Sequence, residues 1–230
     1  MIDLKTKGLK NACMIKTILG LKHVKNRRSC LLMAIRSARY LTGRNVVTGK
    51  ALGICEMEYN VLKKDDVTMH QLYNEHFFSG LAMYLIAIDC IGCLFENSTI
   101  TSKIENNSII RALKSFSSLD NERIEAVKDL RNTLAHNFGL ATESKGGAKK
   151  TKHKFTLSFS DKAEAIKLPK KDWDGDFGNK KQSCSTIIGV SAFCNLAESI
   201  IANVYDSYEK GLLKLRVSEE QVKARFTVLV

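Results

Sequence analysis

The sequence predicts an all-α fold, a helical bundle carrying a small β-hairpin insert. Three observations predict it. Apolar residues recur at helical spacing through most of the chain, as at Leu31, Ala34, Ile35, Ala38 and Leu41. Proline occurs once, at Pro169, and turn clusters are few, which argues against a sandwich of many short strands. Period-two alternation is confined to one short stretch after residue 154. With 230 residues, 44% of them apolar, the chain can bury one sizeable core, so wholesale disorder is excluded. Residues 1–230 read as a single domain. It has a basic helical part over 1–70, a core bundle over 71–212 and the hairpin at 154–169.

Residues 8–24 and 29–42 carry helical spacing. If they form one continuous helix, Lys25, Arg28, Arg36 and Arg39 fall within an arc of about 80° and make a basic stripe suited to RNA. A solvated helix face is the plainer explanation of the same stripe. Gly43 and residues 48–53 look like a loop. Helix resumes over 69–95, the most apolar element, and a short helix follows around 109–116. Asp120 or Asn121 can cap the next helix, which runs to about residue 137. Residues 141–153 turn small, polar and basic, including Lys149 and Lys150, a second candidate contact for RNA phosphates. Phe155, Leu157 and Phe159 then alternate with Thr156 and Ser158, and Ile166 with Leu168 supply the second strand of a hairpin. After a polar loop, a last helix is expected over about 185–212, with Phe193, Leu196, Ile200, Val204 and Tyr208 inward.

The net charge of +12 is unevenly placed. Residues 1–50 carry a net +11, residues 51–140 a net −4, and residues 141–182 a net +5. That distribution points to an acidic partner such as nucleic acid. Seven cysteines, an odd number lying mostly in apolar stretches, read as reduced thiols of an intracellular, cytoplasmic protein. No signal peptide is evident. The apolar run at 77–95 is interrupted by Gly80, Asp89 and Gly92 and reads as a buried helix rather than a membrane span.

The informative segment is residues 122–138. On a helical wheel Ile124, Val127, Leu130, Leu134 and Phe138 form one apolar arc, Asn132 and His136 lie almost opposite it, and Arg131 sits on its flank. An imidazole so placed can move protons near neutral pH. A guanidinium can hold a phosphate and stabilise the negative charge that grows during phosphoryl transfer. On RNA the 2′-hydroxyl is an internal nucleophile, so the reaction needs no metal or cofactor in principle. Residues five apart on a helix are separated by about 140°. Arg131 and His136 therefore converge poorly within one chain, whereas two copies related by a two-fold axis could interleave them.

Arg131-Asn132-x-x-x-His136 resembles the signature of the HEPN superfamily, small helical proteins common in prokaryotic toxin–antitoxin and phage-defence systems. Residue frequencies give about 0.03 chance occurrences of such an Arg-x4-His with Asn, Asp or His after the Arg. The resemblance covers residues 76–212 in outline and six residues in detail. It implies a metal-independent endoribonuclease that acts as a homodimer on RNA, with an antitoxin protein as a possible partner. It further implies His136 as general acid/base, Arg131 on the scissile phosphate, and Asn132 as positioning group. The alternatives are a non-catalytic HEPN-like module binding RNA, a nucleotide or a protein, and a nucleic-acid binder working through residues 1–50. Two weaker signals carry less. Cys90 and Cys93 have zinc spacing without a second pair, and the Asp172–Asp174–Asp176 run departs from a calcium loop at Phe177 and Ser183. Asp89, isolated in an apolar helix, needs a hydrogen-bonding partner.

Overall fold

The most apolar segment of the chain forms its longest helix, and the other elements pack around it. The computed structural model describes residues 12–22, 27–52, 69–99, 106–137, 139–143, 152–176 and 182–229. In chain order these form helix α1 (residues 12–18), strand β1 (Arg27–Ser29), α2 (Cys30–Leu41), α3 (Met69–Leu94), β2 (Phe95–Asn97) and α4 (Ser108–Phe116). Then come α5 (Asn121–Asn137), β3 (Ala141–Glu143), β4 (Lys152–Ser158), β5 (Thr186–Gly189), α6 (Val190–Glu209), β6 (Leu213–Leu215), α7 (Glu219–Arg225) and β7 (Thr227–Leu229). The described chain is mostly helical, with two strand pairs and one three-stranded sheet.

Tyr84, Leu85, Ile88, Ile91 and Leu94 of α3 are fully enclosed by α2, α4 and α6. Each such side chain contributes roughly 1.5–3 kcal/mol relative to exposure. Residues 76–94 are long and apolar enough to cross a membrane by length and composition, and about half of the most apolar stretch is buried against the rest of the chain. Short polar residues set the helix starts. Ser29 accepts from the Leu32 N–H at the start of α2, Asn107 from the Ile110 N–H at α4, and Asp120 from the Arg123 N–H at α5.

Two expectations are corrected. The condition of one continuous helix is not met across the described residues: α1 ends at a turn where Gly20 takes φ 72°, and β1 precedes Ser29, which caps α2. The strand expected after residue 154 forms, but not as a hairpin with 166–168. Instead β4 pairs antiparallel with β3 and parallel with β5, so residues 186–189, expected to be helical, are a strand. Lys167 bridges Ile187 on β5. Gly189 explains the crossing. A Cβ there would sit 2.4 Å from the Glu164 carbonyl oxygen, so only glycine lets residues 163–164 pass over the end of β5. Two other pairs, β1–β7 and β2–β6, join segments far apart in sequence.

Helix α2 is tied to α6 by one buried ion pair. Arg39 Nε and Nη2 donate to Glu198 Oε1 and Oε2 at 2.8 and 2.7 Å, and Nη1 donates to the carbonyls of Val46 and Val47. The Tyr84 hydroxyl donates to Glu198 Oε1 at 2.6 Å. Burial and this bond keep the phenol protonated, its pKa raised far above 10. Burial opposes the charge of Arg39, but its bonds to Glu198 outweigh burial and raise its pKa. Glu198→Ala leaves the guanidinium enclosed without its counter-charge, and we expect it to cost about 3–5 kcal/mol in urea unfolding, with Glu198→Gln costing less.

Candidate active site

Helix α5 is buried on two sides, where the sequence suggested one. Ile124, Val127, Leu130 and Leu134 pack into the core as expected. Phe138 lies outside the described residues. Asp129 and Thr133, on the opposite side, are only 4% and 2% exposed, at the side of α5 that meets β3 and β4. His136 and Ala135 remain exposed, and Arg131 and Asn132 are half-buried.

Arg131 reaches α3. Its Nη2 donates to Asp89 Oδ2, and its Nη1 donates to Asn132 Oδ1 at 3.1 Å. Asp89 therefore has the partner that an isolated carboxylate in an apolar helix requires, and its other oxygen accepts from the Ser108 hydroxyl. Ser108 reaches it because α4 lies directly on α3 at Gly92. A Cβ on Gly92 would sit 1.8 Å from the Ser108 carbonyl oxygen. The motif arginine is thus held in one orientation by a carboxylate and an amide. Its remaining N–H groups offer bonds to a further acceptor.

His136 belongs to the opposite side of α5. Helical geometry turns its Cβ about 140° from that of Arg131, and Arg131 is drawn to the α3 side by Asp89. Arg131 and Asn132 are therefore brought together, whereas His136 stands apart from them in a single chain. A reaction using both guanidinium and imidazole would need the second from another copy or from movement.

The basic stripe expected from Lys25, Arg28, Arg36 and Arg39 does not form. Lys25 lies outside the described residues, as do Lys149 and Lys150. Arg28 sits exposed in β1 opposite Val228, and Arg36 is exposed on α2. Arg39 is a correction: its side chain is 11% exposed and its guanidinium is committed to Glu198, so it is a structural cation rather than an RNA contact. The wheel that aligned it with the others assumed one continuous helix.

A buried polar cluster beside the motif escaped the sequence reading. His153 Nδ1 lies 3.0 Å from Thr186 Oγ1, its ring stacks on Phe155, and its Nε2 faces Asp129 Oδ2 at 3.8 Å. Lys128 Nζ lies 3.5 Å from the other oxygen of Asp129. Among the described residues Asp129 Oδ2 and Thr133 Oγ1, one turn apart, have no hydrogen-bond partner. The signal that could have revealed His153 is its place two residues before Phe155, on the same face of β4. Burial raises the Asp129 carboxyl despite Lys128 and His153, and burial lowers the His153 imidazole despite Asp129 and Asp172.

The six described cysteines are free, and burial pushes Cys90 up to about 12 and Cys194 up to about 11, so both are inert thiols. Among the described residues no group of three or more His, Cys, Asp or Glu could hold a metal ion. No family model, no curated protein and no solved structure matches this chain.

The His153 shift fixes the sign of a pH effect. A histidine with a lowered folded pKa binds fewer protons folded than unfolded, so its contribution is intact above 6.5 and is lost as pH falls below it. His153→Gln should remove that loss. We expect the urea midpoint to fall less between about pH 7.5 and about pH 5.5 in the variant than in the wild type.

Proposed function

We propose that this chain is a metal-independent endoribonuclease of toxin or phage-defence type, a HEPN-like helical bundle that works as a homodimer. The observation that carries the reading is the state of the motif on α5: Arg131 fixed by Asp89 and Asn132, with His136 exposed. A fixed guanidinium is what a developing phosphorane needs, since it stabilises charge without reorganising during the reaction. An exposed imidazole is what proton transfer to and from RNA needs.

In this reading the RNA 2′-hydroxyl attacks the adjacent phosphorus, and the bond from phosphorus to the 5′-oxygen breaks. One His136 takes the proton from the 2′-hydroxyl. The His136 of the second copy gives a proton to the departing 5′-oxygen. Products carry a 2′,3′-cyclic phosphate and a 5′-hydroxyl. The two-fold pairing supplies what a single helix does not, a guanidinium and an imidazole converging from different copies. An antitoxin protein that covers the exposed His136 would silence such an enzyme.

One observation favours a second reading, a non-catalytic HEPN-like module that binds RNA, a nucleotide or a protein. Asp89 already neutralises Arg131, so a phosphate must compete with a carboxylate for it. Cleavage of single-stranded RNA in EDTA decides between them. The enzyme reading expects cyclic-phosphate products, at least a 100-fold loss of rate in His136→Ala, and an about 10- to 100-fold loss in Asp89→Asn, which loosens Arg131. RNA bound by wild-type protein without any cleavage would leave only the binding module.

A further inference from the structure

The C-terminal half of α3 gathers three arginines from three different elements. Arg131 of α5 is anchored at Asp89. Arg111, one turn along α4 from Ser108, donates from Nε to the Gly92 carbonyl at 2.7 Å. Arg216, just past β6, donates its backbone N–H to the Leu94 carbonyl at 2.9 Å and its Nη1 to Glu96 Oε2 at 3.0 Å. The anchors at 89, 92 and 96 advance along one continuous helix and strand in steps of about 5 and about 9 Å. We propose that Arg131, Arg111 and Arg216 form a guanidinium track that holds the backbone phosphates of single-stranded RNA next to the phosphate under attack.

Charge and orientation support this assignment, which rests on the ribonuclease reading above. Among the described residues Arg131 faces Asp89 and Arg216 faces Glu96, and exposed Lys214 stands directly opposite Glu96 in the β2–β6 ladder. Arg131, Arg216 and Lys214 thus outnumber those two carboxylates, although they come from stretches of negative or zero net charge. Glu96 takes one of the five N–H groups of Arg216 and so orients the side chain without consuming it. Arg111 stands between the other two. Burial lowers its pKa first, and the nearby charge of Arg216 lowers it further, against the raising effect of Cys93, Glu96 and Asp89. Two guanidiniums that repel each other are relieved by an anion that bridges them, and phosphate matches their fork geometry. The side chains of Arg131 and Arg216 are 29% and 22% exposed, so both are reachable from solvent.

Salt dependence tests the track. Binding of a fluorescein-labelled oligouridylate to full-length His136→Ala protein in EDTA is followed by anisotropy across a salt series. Each phosphate contact on a single strand contributes about 0.7 to the slope of log K against log salt. Arg111→Gln and Arg216→Gln should each lower the slope by about that amount, while Arg111→Lys and Arg216→Lys keep it. Glu96→Gln, which removes a competing carboxylate, should tighten binding, an outcome that no folding defect imitates. Unchanged slopes in both glutamine variants, or unchanged or weaker binding in Glu96→Gln, would overturn the track. RNA cleavage by wild type with unchanged slopes sinks the track alone; altered slopes without wild-type cleavage sink the ribonuclease reading alone.

Discussion

Asp89 is the one carboxylate in the apolar stretch 76–94 of α3, and the arrangement around it depends on its being satisfied. A charge in such a helix is tolerated only with close partners. Ser108 of α4 and Arg131 of α5 supply them, one on each oxygen. Gly92, one turn on, lets α4 come close enough for Ser108 to reach, and its carbonyl then receives Arg111. Three helices are thereby held in one register by a handful of polar contacts inside an apolar setting. The same contacts fix the orientation of Arg131, so the element that closes the core also prepares the candidate site.

Polar groups are placed on both sides of α5, and the two sides differ in kind. Towards α3 the charges are matched, with Arg131 on Asp89. Towards the small sheet they are incompletely matched, with Asp129 Oδ2 and Thr133 Oγ1 lacking hydrogen-bond partners among the described residues and burial opposing the charge of His153. The matched side gives rigidity, which electrostatic stabilisation of a transition state requires. The mismatched side gives pH sensitivity, since burial there opposes the charged forms of Asp129 and His153 alike. His136, on the same side of the helix as Asp129 but two turns further along, is exposed.

The charge excess takes on a different meaning once positions are known. Much of the +12 lies in residues 1–50, yet Arg39 there is absorbed by Glu198 and Arg44 donates to Asn195 and to the Gly49 carbonyl. An arginine paired with a carboxylate, as Arg39 is with Glu198, counts in the composition without adding net charge to the surface field. Arg111, Arg131 and Arg216, drawn from stretches of negative or zero net charge, are the ones gathered beside the motif. Composition suggested an anionic partner, and two of the arginines behind that suggestion, Arg39 and Arg44, are engaged inside the molecule.

The sequence by itself determined the helices, most of their inward faces and the motif. Helical periodicity and capping residues are local properties, and the burial of Ile124, Val127, Leu130 and Leu134 follows directly from their spacing. The exposure of His136 was legible for the same reason. The partner of Asp89, the commitment of Arg39 to Glu198 and the enclosure of His153 were not, because each joins residues from separate elements. The strand pairings failed for a related reason: alternation marks a strand but does not name its neighbour, and Gly189 admits a crossing that a hairpin would not need. Only the tertiary structure decided which charges are spent on holding the molecule together and which remain available to a ligand, since that depends on which side chains share a low-dielectric interior and no periodicity records it.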